Sequence, residues 1–356
     1  MTPPPPGTER SEPREPAGGP RARDLLWKTL LGLAITAGLF IFLFRFVDLG
    51  QLRALAGMTR WPLIVAGFGI WGIIYLGRAL RFVLLAPRIA YSTMLVITSI
   101  HNLLVRVLPF RTGELSYAFL VRRAGTAGLG ESLLGLLLVR ILDSTAVVVL
   151  FAVALAFHHG TYFGDRQTGI VAAAGTAVLG LMLVVALAPL LRLGLRIAHS
   201  IARLFRVADR PRVQQIIGKL EAAVDAFSRI PRRNVIWNGL LSLGLWLLTF
   251  GAFFVIMRAF SMPVSLAQTV LGSTAAVVTG FLPIGGIGSF GTLEAGWALG
   301  FVLVGLDRTM AIVSAFGVSI TTFVYVIILG LAGWLGMRRR LPARATLAAQ
   351  PVAEQR

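Results

Sequence analysis

Two stretches place chemistry-bearing residues inside otherwise apolar sequence. The first reads Leu108-Pro109-Phe110-Arg111-Thr112-Gly113-Glu114, and the second runs from Leu282-Pro283 through Gly285, Gly286, Gly288 and Gly291 to Glu294. In each, proline ends one helical arm, glycine allows the backbone angles of a turn, and a glutamate stands near the positive N-terminal end of the next arm. A guanidinium grips phosphate with two parallel N–H donors, which makes Arg111 a candidate anion ligand. The competing reading is a capped turn carrying an interfacial arginine. Residues 286–291 spell G-x-G-x-x-G, but no strand precedes them, so the dinucleotide fingerprint is rejected. The turn at Gly286 and Gly288 keeps free amides that open the helix starting at Thr292, a possible anion site. Glu294 is then the counterpart of Glu114.

A second constellation is Arg140 with Asp143, at i and i+3 on one helix and within pairing distance. Ionisable side chains inside a span cost about 2.5–3.5 kcal/mol each on insertion scales, so each needs a partner or a task. This pair reads either as a structural ion pair or as part of a polar cavity in which Arg140 meets an anionic substrate group. Arg78, Arg81 and Arg106 could extend a basic vestibule or snorkel as membrane anchors. The candidate substrate-binding residues are therefore Arg111, Glu114, Arg140, Asp143, Gly286, Gly288 and Glu294. The chain has no cysteine, and none of its four histidines has ligand spacing with a carboxylate. No metal, cofactor or catalytic residue is expected.

The elements that must hold these residues follow from composition. Hydrophobic residues make up 56% and charged residues 14%, a balance that no soluble domain of this length could carry, so the chain is a polytopic all-α membrane protein. The net charge of +19 would suggest nucleic acid only if it lay on a folded polar domain, and there is none. Residues 1–24 are proline-rich and read as a disordered tail, and 338–356 as a basic one. Full spans fall at 25–47, 62–80, 132–157, 168–193, 234–257 and 309–337, each long enough to cross a bilayer. Broken elements fall at 92–123 and 265–304.

Charge orients the set. With the N-terminus inside, cytoplasmic segments hold 25 Lys and Arg and external ones 5. Both tails are then cytoplasmic, with the plasma membrane as the expected location. If each broken element enters and leaves on one side, the order span, span, re-entrant element, span occurs once in 25–157 and again, inverted, in 168–337. That is the inverted repeat of secondary transporters. The alternative is about eight kinked spans. Between the halves, 195–231 carries one apolar face among basic residues, as expected of a helix lying in the cytoplasmic interface.

Pro109 to Glu114, followed by Arg140 with Asp143 and later by Pro283 to Glu294, resembles the transmembrane-domain family of lysylphosphatidylglycerol synthetases, also called flippase-like membrane proteins. The resemblance covers roughly 25–337. The glycine turn departs from the family pattern, in which the glutamate follows the Gly-x-Gly sooner. The resemblance implies movement of a lipid or lipid-linked headgroup between leaflets. Members that make aminoacylated lipid carry a large soluble transferase domain after the membrane part, so lipid aminoacylation by this chain alone is not expected. The leading expectation is a non-enzymatic flippase or scramblase for an anionic phospholipid or lipid-linked headgroup. The alternatives are a membrane-embedded transferase using Glu114, Asp143 or Glu294 as base, or a non-catalytic assembly partner. Anionic lipid headgroups are the expected partners, with a homo-oligomer or a separate lipid-modifying enzyme compatible with the same reading.

Overall fold

The computed structural model describes residue 50 and residues 57–86, 88–108, 113–124, 129–157, 166–205, 210–281 and 291–340. Among the described residues every regular element is helical. In chain order these are α1 (Trp61–Leu85), α2 (Tyr91–Val107), α3 (Leu115–Arg123), α4 (Leu129–Phe157), α5 (Arg166–Leu204), α6 (Pro211–Ser228), α7 (Arg232–Ala259), α8 (Leu266–Phe281), α9 (Thr292–Leu303) and α10 (Arg308–Arg340). Four helices, α1, α4, α7 and α10, are long and apolar enough to cross a membrane. The expected span at 25–47, the 1–24 tail, residues 341–356 and both turn centres lie outside the described residues, and α10 runs to Arg340, three residues into the expected basic tail.

The two broken elements are helical hairpins. In the first, α2 stops at Leu108 and the chain returns as α3, nine residues long. Gly113 comes so close that a Cβ on it would lie 2.3 Å from the Leu104 carbonyl oxygen. Only glycine allows that approach. In the second, α8 is followed by α9 of 12 residues, preceded at its N-cap by Gly291 with φ 96°. That angle is open to glycine and strained for other residues. A Cβ on Gly300 would meet the Gly272 carbonyl oxygen at 2.0 Å, and one on Gly296 the Thr279 hydroxyl at 2.2 Å. Gly296 and Gly300 form a G-x-x-x-G edge on which the two arms pack antiparallel, the device that substitutes for a hydrophobic driving force between helices in lipid.

The same logic joins hairpin to span. Gly330 and Gly333 of α10 receive Leu103 and Ser99 of α2. At the centre, α1 and α7 run antiparallel: Gly67 faces Ile256, Gly77 faces Leu245, and Asn234 donates to the Leu84 carbonyl at 2.9 Å. The helix pairings recur between the halves. α2 on α10 has its counterpart in α8 on α4, α1 with α2 in α7 with α8, α3 on α4 in α9 on α10, and α4 with α7 in α10 with α1.

The main core gathers Trp71 and Ile74 of α1, Phe250 and Ile256 of α7 and Phe301 of α9. Outside it, large apolar side chains remain exposed in helical stripes, such as Ile320, Val324, Ile328, Leu331 and Leu335 on α10. In water such a surface would aggregate, whereas against acyl chains it is the matching solvent. One expected boundary moves. The interfacial helix anticipated over 195–231 is divided: α5 continues to Leu204, and the amphipathic part is α6, which His199 of α5 meets through Glu221 at 3.4 Å. Residues 195–204 carry enough apolar sequence to extend the preceding helix past the end of its span.

Candidate functional site

The polar interior is built where α1, α2, α4 and α7 converge. Arg140 and Asp143 are both paired, though not with one another. Asp143, 8% exposed, accepts from Arg81 of α1 at 2.5 Å, and the same Arg81 nitrogen donates to Ser242 of α7 at 3.1 Å. Arg140 instead donates to Glu114 at 2.9 Å, fastening the first hairpin to α4. Residues three apart on a helix share a face but diverge by about 60° around its axis, so each met the neighbouring helix on its own side. Glu114 stands at the N-terminal boundary of α3 without making a side-chain cap there. His101 adds a second tie across the hairpin, its Nδ1 lying 3.0 Å from the Ser116 hydroxyl.

Glu294 is not placed like Glu114. It sits in the first turn of α9, 1% exposed, and one carboxylate oxygen accepts from the Gly291 backbone N–H. This is the reciprocal half of a capping box. Its other oxygen is buried without a hydrogen-bond partner, and Arg106 lies within electrostatic reach. Arg111, Gly286 and Gly288 lie outside the described residues.

A cavity of about 250 Å³ opens beside these pairs. α1 contributes Trp71 and Arg78, and α2 contributes Asn102, Val105 and Arg106. Trp246, Thr249 and Phe253 come from α7, Ser273, Ala276 and Val277 from α8, and Leu293 and Trp297 from α9. The α10 wall is Val318, Ser319, Thr322 and Val326. The contributions from α1, α7 and α10 fall around the middle of those helices, so the cavity lies at mid-depth of the bundle, between the two hairpins. Arg78 donates to Asn102 at 3.2 Å, and Arg81, Arg140 and Asp143 surround it electrostatically. The arrangement is amphiphilic: two guanidinium groups, an amide and four hydroxyls are set among aromatic and aliphatic walls.

Sequence reasoning found some of this site and missed the rest. Arg78 and Arg106, read from the sequence as vestibule or anchor residues, line the cavity. Arg81 is consumed by Asp143. None of the four described candidate residues, Glu114, Arg140, Asp143 and Glu294, is among the cavity's described lining residues. The missed residues had a readable signal in their helical spacing: Trp71 with Arg78, Asn102 with Arg106, Trp246 with Thr249 and Phe253, and Ser319 with Thr322 each stack on one helix face.

Long apolar helices with a lipid-matched exterior, a mid-depth amphiphilic cavity and a buried ion pair define a multi-pass α-helical membrane protein. The chain belongs to the family described as lysylphosphatidylglycerol synthase TM region, which matches residues 29–330. No curated protein and no solved structure gives a significant match.

Proposed function

We propose that this protein is a lipid flippase or scramblase of the plasma membrane, moving an anionic phosphate headgroup between leaflets while the acyl chains stay in the bilayer. The observation that carries the reading is the cavity at mid-depth, with Arg78 and Arg106 on an otherwise aromatic and aliphatic wall. Two guanidinium groups supply the donor geometry that phosphate oxygens accept, and the apolar wall lets acyl chains leave between helices into lipid.

The reading includes an inverted repeat, α1 to α4 corresponding to α7 to α10. It is supported by the recurrence of helix pairings between the halves and by the antiparallel contact of α1 with its counterpart α7. Such repeats place substrate near the bilayer midplane at the repeat interface and expose it alternately by rocking one half against the other. The two hairpins then act as opposing gates, with both tails cytoplasmic. The ion pairs Arg81–Asp143 and Arg140–Glu114 hold the walls rather than the substrate.

The test is reconstitution of the purified protein in vesicles containing acyl-labelled fluorescent phosphatidylglycerol, with leaflet exchange followed by a quencher that cannot cross the bilayer. Exchange well above that of protein-free vesicles is expected, with strong loss in Arg78→Gln and Arg106→Gln. Exchange no faster than in empty vesicles would sink the proposal.

A further inference from the structure

Three uncharged hydrogen-bond donors at the cavity donate to nothing among the described residues. The indole N–H of Trp71 and the hydroxyl of Tyr75 on α1, and the amide nitrogen of Asn102 on α2, are each buried without a hydrogen-bond partner. Trp71 and Asn102 line the cavity, and Tyr75 lies within electrostatic reach of two other lining residues, Arg78 and Arg106. Their placement follows from spacing: Trp71, Tyr75 and Arg78 stand at i, i+4 and i+7, on one face of α1. Asn102 is oriented from that face, because its carbonyl oxygen accepts from Arg78 at 3.2 Å and turns the amide nitrogen the other way. Trp71 is held in turn by Phe253 of α7 and Tyr325 of α10, at ring-centroid distances of 5.9 and 6.2 Å.

Buried polar groups almost always find a partner, and one without a partner carries the full cost of its lost hydration. Three such donors on adjoining helix faces mark a place where a ligand brings the acceptors. An indole N–H and an amide nitrogen can only donate, and a phenol hydroxyl donates when it meets an oxygen that has no proton to give. The matching ligand is therefore rich in acceptor oxygens. The buried acceptor left over nearby, Glu294 Oε1 on α9, takes no bond from any of the three.

We propose that Trp71, Tyr75 and Asn102 are headgroup ligands, uncharged donors that hold the oxygens of a phosphate ester beside Arg78. A guanidinium attracts any anion from a distance, whereas an uncharged donor acts only at hydrogen-bond range and so fixes where the phosphate sits. Phe253 and Tyr325 belong to the second half of the chain, so rocking of the halves would uncover Trp71 to the headgroup. That the phosphate belongs to a lipid rests on the lipid-exchange reading above; that these side chains bind it is measured separately.

Detergent-purified full-length protein is titrated with phosphatidylglycerol, and with diacylglycerol of the same acyl chains, and bound lipid is quantified by native mass spectrometry. Tyr75→Phe removes one oxygen and nothing else. Without lipid it should melt at the same temperature as the unmodified protein or higher, because an orphaned buried hydroxyl is gone. It should nonetheless bind phosphatidylglycerol about fivefold more weakly, equivalent to about 1 kcal/mol. Trp71→Phe, which keeps an aromatic ring and loses the N–H, should weaken binding in the same way, and Tyr75→Phe decides alone if that variant does not fold. Unchanged affinity in Tyr75→Phe would overturn the proposal and leave the hydroxyl as a group that water completes. An equal loss of diacylglycerol affinity would also overturn it, since the donors would then hold acyl-ester carbonyls. So would displacement of phosphatidylglycerol by an equal concentration of soluble glycerol 3-phosphate, which would make the ligand a free phosphate. Vesicle exchange separates the two readings. Weakened binding in the variants without exchange by the unmodified protein removes the transporter and leaves the headgroup ligands, and exchange with unchanged affinities does the reverse.

Discussion

The side chains that decide this molecule's behaviour are arginines, and their burial separates their roles. Arg81 and Asp143 are 4% and 8% exposed, so removing one leaves the other charged and dry. Arg81→Leu should cost about 3–5 kcal/mol, while a double Arg81→Leu, Asp143→Leu variant should recover most of it. Thermal unfolding in micelles measures both, and an equally unstable double variant would show that the pair is not the source of the loss. The Arg140–Glu114 pair is partly exposed, so Arg140→Gln should unfold closer to the unmodified protein than Arg81→Leu does. For the cavity arginines, lysine keeps the charge but loses the fork of donors. Arg106→Lys and Arg111→Lys should therefore each retain only part of the exchange rate. Full rates in both would make charge alone sufficient.

At the scale of elements, glycine is the structural currency because lipid offers no hydrophobic force to press helices together. The α8–α9 hairpin depends on backbone contact at Gly296 and Gly300, where any side chain would collide with Ala275, Thr279 or Gly272. Gly300→Leu should abolish recovery of monodisperse protein. Gly69→Ala, at a position with open space around it, should leave yield unchanged and melting unchanged or slightly higher, since alanine has the higher helix propensity. Size-exclusion profiles of the two variants compare them directly, and an equal profile for Gly300→Leu would mean that the arms are not packed as described.

For the whole molecule, the decisive questions are which side each segment faces and whether the gates alternate. The cysteine-free sequence makes single-Cys labelling clean. Cysteines in 158–167 should react with an impermeant thiol reagent from outside and those in α6 from inside, and external labelling of α6 would reverse the orientation. Cysteines at Thr112 and Ser289 should label from opposite faces, each changing when phosphatidylglycerol is supplied, as rocking halves require. Labelling of both from one face would favour kinked spans over an inverted repeat.

The sequence by itself determined the membrane class, the family, the approximate extents of the four spanning helices and the positions of the two breaks, but not that the helix over 168–193 runs on to Leu204. Those properties are local: hydrophobic runs set spans, and Gly113 and Gly291 stand where helices are interrupted, in backbone positions that glycine allows. It also showed that Arg140 and Asp143 need partners. It could not choose them, since Arg81 lies 62 residues from Asp143 and Glu114 lies 26 from Arg140. Only packing brought them together. The cavity was hidden for the same reason, because six helices each supply two to four residues to its wall. A helix face can be read from spacing, but what that face meets depends on which glycines let its neighbours approach, and that was decided by the tertiary structure.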